Sequence, residues 1–450
     1  MSIFLFLLGT ATIPLYLLYF PGTSQTIPNM LFLLAGAAAL VDWWVVRGKL
    51  ISLKFPYHPF WIPSFFILLG GLLATFFNSV NVRESFIQVL KQWFVFSIWM
   101  GVAVDAASRG YSRAALNLLI IGALFTSTVA LLDFTVGVNL GPRFISSNHP
   151  AATIPGYGSS GNGRFAGTFG HSNAQALFLT LVLPIVFDRW LAHARSWKPQ
   201  DFLWLVSFGI IAIAIVLTGS VSGYMGAFIA CSTVLLVRLK NFGVSGKVIF
   251  PLLLFIISVA FLGLVVLFIP RGFEFFTSVE KVQNLLGRDG LNRVIEGSGP
   301  VRLETYSLAL QYISNSPIIG AGLDTTSSQL QVSTGELLQV HNVILQLWFT
   351  SGILGLLGIV VIYWQALILA WSRIKNSLRS VQLPDRVGVA AGVLGFLLID
   401  MTKPGIDERQ KWLVIAVLYS GMFIKEKIKK TNETNRSEAD RSLSSLNSGI

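Results

Sequence analysis

The sequence predicts an all-α, polytopic membrane protein, and three observations carry that prediction. Of the 450 residues 53% are hydrophobic and only 12% charged; the apolar residues fall into runs of span length; and basic residues alternate between the loops that separate them. A chain this apolar lacks the polar surface to be soluble. Its net charge of +12 is loop charge of the kind that orients membrane helices, so no nucleic-acid partner is implied. The one cysteine, Cys231, lies in an apolar run and excludes an internal disulfide.

Twelve spans fit, at about 3–20, 28–46, 60–77, 85–104, 114–133, 174–191, 202–217, 219–237, 248–269, 343–371, 387–402 and 411–424, with boundaries good to about two to four residues. Ile3–Phe20 has neither a basic n-region nor a small-x-small cleavage site, which reads as a retained first span. With the N-terminus inside, the cytoplasmic loops and tail collect roughly 21 of the 33 basic residues, and both termini are cytoplasmic. The chain then divides into helices 1–9 over 1–269, a large outer loop over 270–340, helices 10–12 over 341–424 and a tail over 425–450. Serine, asparagine and charge without apolar periodicity predict a disordered tail, at most a sensor of anionic lipid.

Two outer segments are too long for connectors. One is Phe134–Asn173, rich in Gly, Ser and Pro; the other is Pro270–Val340. Within the second, Val301–Ile313 sets Leu303, Tyr306, Leu310 and Ile313 on one face, which predicts a short amphipathic helix on the membrane surface. Asn315-Ser316-Pro317 ends it, and Gly320 and Gly322 follow as turn residues.

The stretch Val340–Gly358 puts a polar pair, His341-Asn342, on top of an apolar helix. Eleven residues turn a helix by about 1100°, so His341 and Gly352 are expected on one face. Gly355 and Gly358 continue a smooth side that another helix can approach. A lone interfacial histidine is either a satisfied hydrogen-bonding group or, as neutral imidazole, a base for a hydroxyl proton near neutral pH.

The outer face carries few cations: Arg302, Arg164, and Arg83 with Lys91 in the fourth span. Guanidinium and ammonium groups gathered at a membrane interface suit a lipid diphosphate, Arg by bidentate bonds and Lys as a point charge. Plainer readings stand beside that one. Arg83 is an ordinary interfacial arginine, Lys91 snorkels or pairs structurally, and Arg302 bridges to Glu304 or Glu336. His171 and His149 decorate a loop. The five histidines are scattered, with no HExxH, CxxC or Asp-x-Asp pair, so no metal set is visible. No P-loop occurs either, and a transfer reaction here would draw its energy from an activated donor.

These motifs together resemble the O-antigen ligase and O-antigen polymerase superfamily of bacterial envelope glycosyltransferases. His341-Asn342, nine residues, then Gly352-x-x-Gly355 is similar to the ligase pattern HN-x9-GxxG. Arg164-x-x-Gly167-Thr168-Phe169 with Asn173, Thr218-Gly219-Ser220, and Arg302 leading to Ser316-Pro317-x-x-Gly320-x-Gly322 resemble three further family patterns. The resemblance covers about 160–370 well and the first five spans in topology. One departure is Val221, where many members carry an arginine; either Lys91 or Arg83 substitutes for it, or donor and acceptor differ from the ligase case.

The resemblance implies a GT-C-like bundle in the bacterial inner membrane, with its site on the periplasmic face. It implies transfer of a glycan from undecaprenyl pyrophosphate to an acceptor hydroxyl, with inversion and without metal or cofactor. Arg302 would hold the diphosphate and His341 would activate the acceptor; Arg164, Lys91 and Arg83 are added to the diphosphate from position and charge. Asn342, Gly352, Gly355 and Asn173 would support them. Partners are then the lipid-linked glycan, a glycolipid or glycan acceptor, and membrane lipid. A ligase stands narrowly ahead of a polymerase joining lipid-linked repeat units. A transporter of small anions is the reading from another class, and the scarcity of deep ionisable groups apart from Lys91 argues against it.

Overall fold

In the computed structural model the apolar runs that it describes fold as helices. The structure describes residues 1–15, 18, 26–47, 61–94, 100–137, 140–144, 165–169, 171–193, 199–244, 299–324, 328–331, 337–338, 340–379, 385–401 and 411–418. The helices are α1 (Ser2–Ala11), α2 (Ile27–Arg47), α3 (Trp61–Phe77), α4 (Val82–Phe94), α5 (Met100–Ser108), α6 (Ser112–Val136), α7 (Ser172–His193), α8 (Pro199–Leu217), α9 (Val221–Asn241), α10 (Gly299–Asn315), α11 (Val343–Arg379) and α12 (Arg386–Asp400), followed by a helix over 411–418. A two-residue antiparallel ribbon, Leu330–Gln331 against Leu337–Leu338, is the strand pairing among the described residues.

Among the described residues four helices have the length and apolarity to cross a membrane: Ser112–Val136, Ser172–Ala192, Val221–Asn241 and Val343–Leu378. Ser2–Ala11, Ile27–Ala39, Trp61–Phe77 and Asp201–Leu217 are shorter apolar helices. The result is an all-α membrane protein. The expected ninth span, the first part of the outer loop up to residue 298, and the tail lie outside the described residues. Of the expected fourth span the described residues are α4 up to Phe94 and α5 from Met100, with 95–99 outside them; Arg83, Glu84, Gln88, Lys91 and Gln92 make its first half polar.

Small residues set the packing. α3 lies on the smooth side of α11, where a Cβ at Gly70 would come within 2.9 Å of the Gly355 amide nitrogen. α12 crosses α9 at Gly226 and Gly395, each within 2.7 Å of the other's carbonyl oxygen if given a Cβ. Such backbone contact replaces the hydrophobic driving force that lipid removes.

Charge fixes one end of the bundle. Asp188 on α7 accepts from Arg238 Nε of α9 at 2.7 Å through one oxygen, and from the Asp385 and Gly388 amides, both at 3.1 Å, through the other. It thereby caps the start of α12 from another helix. Arg189 pairs with Asp385, donates to Asn117 Oδ1 at 2.7 Å and lies over the Trp204 ring. Arg189 and Arg238 are thus buried fasteners between helices. A second ionic group is buried between helices: Lys411 Nζ donates to Asp400 Oδ2 at 2.7 Å, and the Tyr363 hydroxyl donates to the same oxygen. Lys91 is therefore not the lone ionisable group within the expected spans, since Asp400 and Lys411 stand at the ends of the last two.

α10 is the helix expected in the outer loop and it stops at Asn315 as anticipated. The side it packs against the protein is set by smaller residues. Thr305, Ala309 and Ile313 point inward with half-buried Tyr306, whereas Leu303 and Leu310 are 64% and 51% exposed. The small Ala309 lets α10 sit down on the start of α11, in an apolar cluster of Ala309, Ile313, Ala321, Val340 and Phe349.

Candidate functional site

His341 stands in a bend just before α11, not within it. Three consecutive residues are held there by side chains. The Val340 amide donates to Gln346 Oε1 at 2.8 Å, and Gln346 Nε2 donates onward to the Ser328 carbonyl at 3.3 Å. The Tyr306 hydroxyl donates to the His341 carbonyl at 2.7 Å. Asn342 Oδ1 accepts from the Ile344 and Leu345 amides at 3.0 and 3.1 Å. Asn342 is therefore the N-cap of α11, satisfying amides that a helix start leaves open.

The expectation that His341 and Gly352 share a helical face fails at both ends. α11 begins two residues after His341, and Gly352, at φ 67° and ψ −163°, breaks the helix. The break is filled by the turn after α10. Ala321 and Gly322 amides donate to the Phe349 and Thr350 carbonyls at 2.8 and 3.0 Å, and the Ile353 amide donates to the Ile318 carbonyl at 3.2 Å. Backbone groups that the kink frees would otherwise stand unpaired in an apolar setting. The Ser316-Pro317-x-x-Gly320-x-Gly322 and HN-x9-GxxG stretches are thus two halves of one joint. A Cβ at Gly352 would overlap the Ile318 carbonyl and approach the Gly320 nitrogen to 2.8 Å. Trp348 Nε1 donates to the Pro317 carbonyl at 3.1 Å on its outer side.

The α3–α4 corner closes the joint from behind. Asn78 Nδ2 donates to the Gly320 carbonyl at 2.9 Å, and the Leu323 amide donates to Ser85 Oγ at 3.0 Å. Ser85 also bonds Thr75 and Ser79. Tyr312 meets Phe349 edge-on with ring centres 5.1 Å apart; burial raises its phenol pKa, against the pull of a hydrogen bond with Asn78.

Arg302 occupies the first turn of α10, one turn before Tyr306. Arg83 and Lys91 are exposed on α4, on the arc opposite Ser85 and Val89, the residues that α4 buries toward the joint. Arg164 lies outside the described residues. A second group of motif residues gathers around α6, α7 and α9. Gly167 is left-handed at φ 52°, Thr168 donates to Thr126 Oγ1, and the Phe165 amide donates to the Leu217 carbonyl at 3.0 Å. Ser220 caps α9 by accepting from the Gly223 amide at 3.4 Å, and Val221 follows half-buried as its first residue. Asn173 is half-buried at the start of α7, its amide donating to His171 Nδ1 at 3.2 Å.

The sequence shows Tyr306 only as part of an apolar face, and its motifs single out neither Gln346 nor Asp324. Asp324, fully buried two residues past Gly322, has no second acid near it in sequence. Tyr306 and Gln346 carried a signal in their spacing, four residues after Arg302 and Asn342.

The helical bundle, with a kinked helix locked to the turn after α10 beside a histidine, defines a multi-pass membrane protein with part of its polar motifs built around one joint. Residues 206–360 match the family model described as O-antigen ligase, which puts this stretch in the O-antigen ligase and polymerase superfamily. The match takes in Thr218-Gly219-Ser220, Arg302, the Gly320 turn and His341 through Gly355. Comparison with curated proteins gives no match.

Proposed function

We propose that the chain transfers a glycan from undecaprenyl pyrophosphate to an acceptor hydroxyl on the periplasmic face of the bacterial inner membrane, as a ligase. The observation that carries this reading is the joint at Gly352. It sets the bend bearing His341 and the first turn of α10, bearing Arg302, against one another through Tyr306, inside the stretch that matches the ligase family. The start of a helix favours anions by its free amides and dipole, and Arg302 adds a fixed charge there. The acceptor oxygen attacks the anomeric carbon, its proton passes to the His341 imidazole, and the carbon–oxygen bond to the diphosphate breaks with its electrons. One displacement inverts the centre. Arg302 holds the lipid diphosphate before and after that step, with Arg164 as a further cation for it; Arg83 and Lys91 face away from the joint on α4 and are left out of that role. Metal and cofactor are not needed, because the diphosphate is already an activated leaving group.

The test is transfer from a purified undecaprenyl-pyrophosphate glycan in detergent, with and without a lipid A core acceptor, read as a gel ladder. Product with the core alone supports the ligase. A ladder from donor alone makes the chain a polymerase of repeat units, and absence of product with both acceptors overturns glycan transfer.

The Tyr363, Asp400 and Lys411 group, buried between helices, favours one second reading, anion transport, since ionisable groups inside a membrane bundle commonly mark ion paths. Anion flux into liposomes that is lost in Lys411→Met and kept in His341→Ala would establish it.

A further inference from the structure

Tyr306 is the side chain that joins the two halves of the proposed site. Its hydroxyl donates to the carbonyl of His341 at 2.7 Å. Its own helix carries Arg302 one turn earlier, and positions 302, 309 and 313 share a stripe by their spacing. Ala309 and Ile313 of that stripe are buried against Val340 and Phe349, with Tyr306 packed on the same cluster. The other tether has a different anchor. Gln346, which holds the Val340 amide, belongs to α11, the helix His341 itself leads into. Gln346 therefore fixes His341 to its own helix, and Tyr306 fixes it to the helix of the donor cation.

We infer that Tyr306 is a positioning residue for glycan transfer, setting the His341 segment at a fixed reach from the first turn of α10. The inference rests on the transfer reaction proposed above. In that reaction the base and the diphosphate cation must meet one substrate from opposite sides of the bond that breaks. A displacement of about 1 Å at such a centre costs up to about a hundredfold in rate. A hydroxyl gripping a backbone carbonyl is suited to prevent it, because the peptide plane carries the side chain with it.

Tyr306→Phe keeps the ring and its packing and deletes the donor. Its kcat should fall about tenfold, the scale of one lost hydrogen bond, with KM for the lipid-linked donor within about twofold of the parent, since Arg302 and its helix are untouched. A merely structural loss would lower Tm and raise donor KM along with it; Tyr306→Leu, which also removes the ring, serves as that comparison. A parent-like kcat in Tyr306→Phe, or a kcat loss matched by an equal rise in donor KM, overturns the inference.

His341→Ala in the same assay separates the two ways of failing. If it turns over at the parent rate, the transfer role of His341 falls and the positioning role with it. If it is inactive while Tyr306→Phe is parent-like, positioning alone falls. Should the purified chain transfer no glycan, the rate at which diethyl pyrocarbonate acylates His341, read by mass spectrometry, still decides whether Tyr306 holds that segment. A severalfold acceleration in Tyr306→Phe supports the tether, and an unchanged rate overturns it.

Discussion

The amide of Ile353 donates to the carbonyl of Ile318 at 3.2 Å, across a chain separation that includes the last of the outer loop, His341 and the first turns of α11. That bond exists because Gly352, one residue earlier, leaves helical space. The kink is thus a docking site for the turn after α10, and its chemistry is backbone chemistry.

Gly352→Ala tests the joint directly. A side chain there meets both a left-handed φ and the Ile318 carbonyl, and a non-glycine residue in a sparse backbone region costs about 1–3 kcal/mol before any clash is counted. The variant should unfold earlier in detergent and lose transfer. Normal Tm with normal activity would mean that the helix closes over the break without harm.

Asn342 should behave as a cap. Replacing a cap by alanine costs about 0.5–2 kcal/mol, whereas serine and aspartate cap well. Asn342→Ala should lower Tm and transfer together, and Asn342→Ser should recover most of both. Inactivity of a stably folded Asn342→Ser would instead give the amide a direct role with substrate.

Removing one member of the Asp400–Lys411 pair strands a buried charge. Asp400→Ala or Lys411→Ala alone should destabilise by about 3–5 kcal/mol. The double substitution Asp400→Leu with Lys411→Met, which leaves no charge behind, should be milder than either. Additive losses in a double-mutant cycle would show that the two groups do not depend on each other.

His341 and Arg302 should fail differently. His341→Ala should abolish transfer yet bind donor with parent affinity, while Arg302→Ala loses donor binding as well. Both should be read with and without a chelator, where parent activity is expected to persist; loss on chelation would bring a metal into the reaction.

The helices were legible because apolar runs and their breakers are local. Asn315-Ser316-Pro317 stops α10 where it was expected to stop, and α6 to α9 fall close to their anticipated bounds. What stayed hidden depends on partners far away in sequence. A helical wheel groups Leu303 and Leu310 on an apolar face, whereas burial against the protein went to Thr305 and Ala309, the latter packed with Phe349. The same limit hid the break at Gly352: HN-x9-GxxG reads as one continuous helix until the Gly320 turn is laid against it. Asn342 and Ser220 were singled out as motif residues, and their observed work is capping, a signal present in the sequence as a polar residue ahead of an apolar run.

Asp188 has a consequence for how the chain is made. One of its oxygens is held by Arg238, but the amides that satisfy the other lie 197 and 200 residues further on, at Asp385 and Gly388. Until the ribosome has delivered those residues, α7 carries a half-solvated carboxylate at the end of an apolar helix. A nascent chain that stops short of residue 385 therefore displays an unfinished polar contact, the kind of mark by which membrane quality control can tell a truncated product from a finished one.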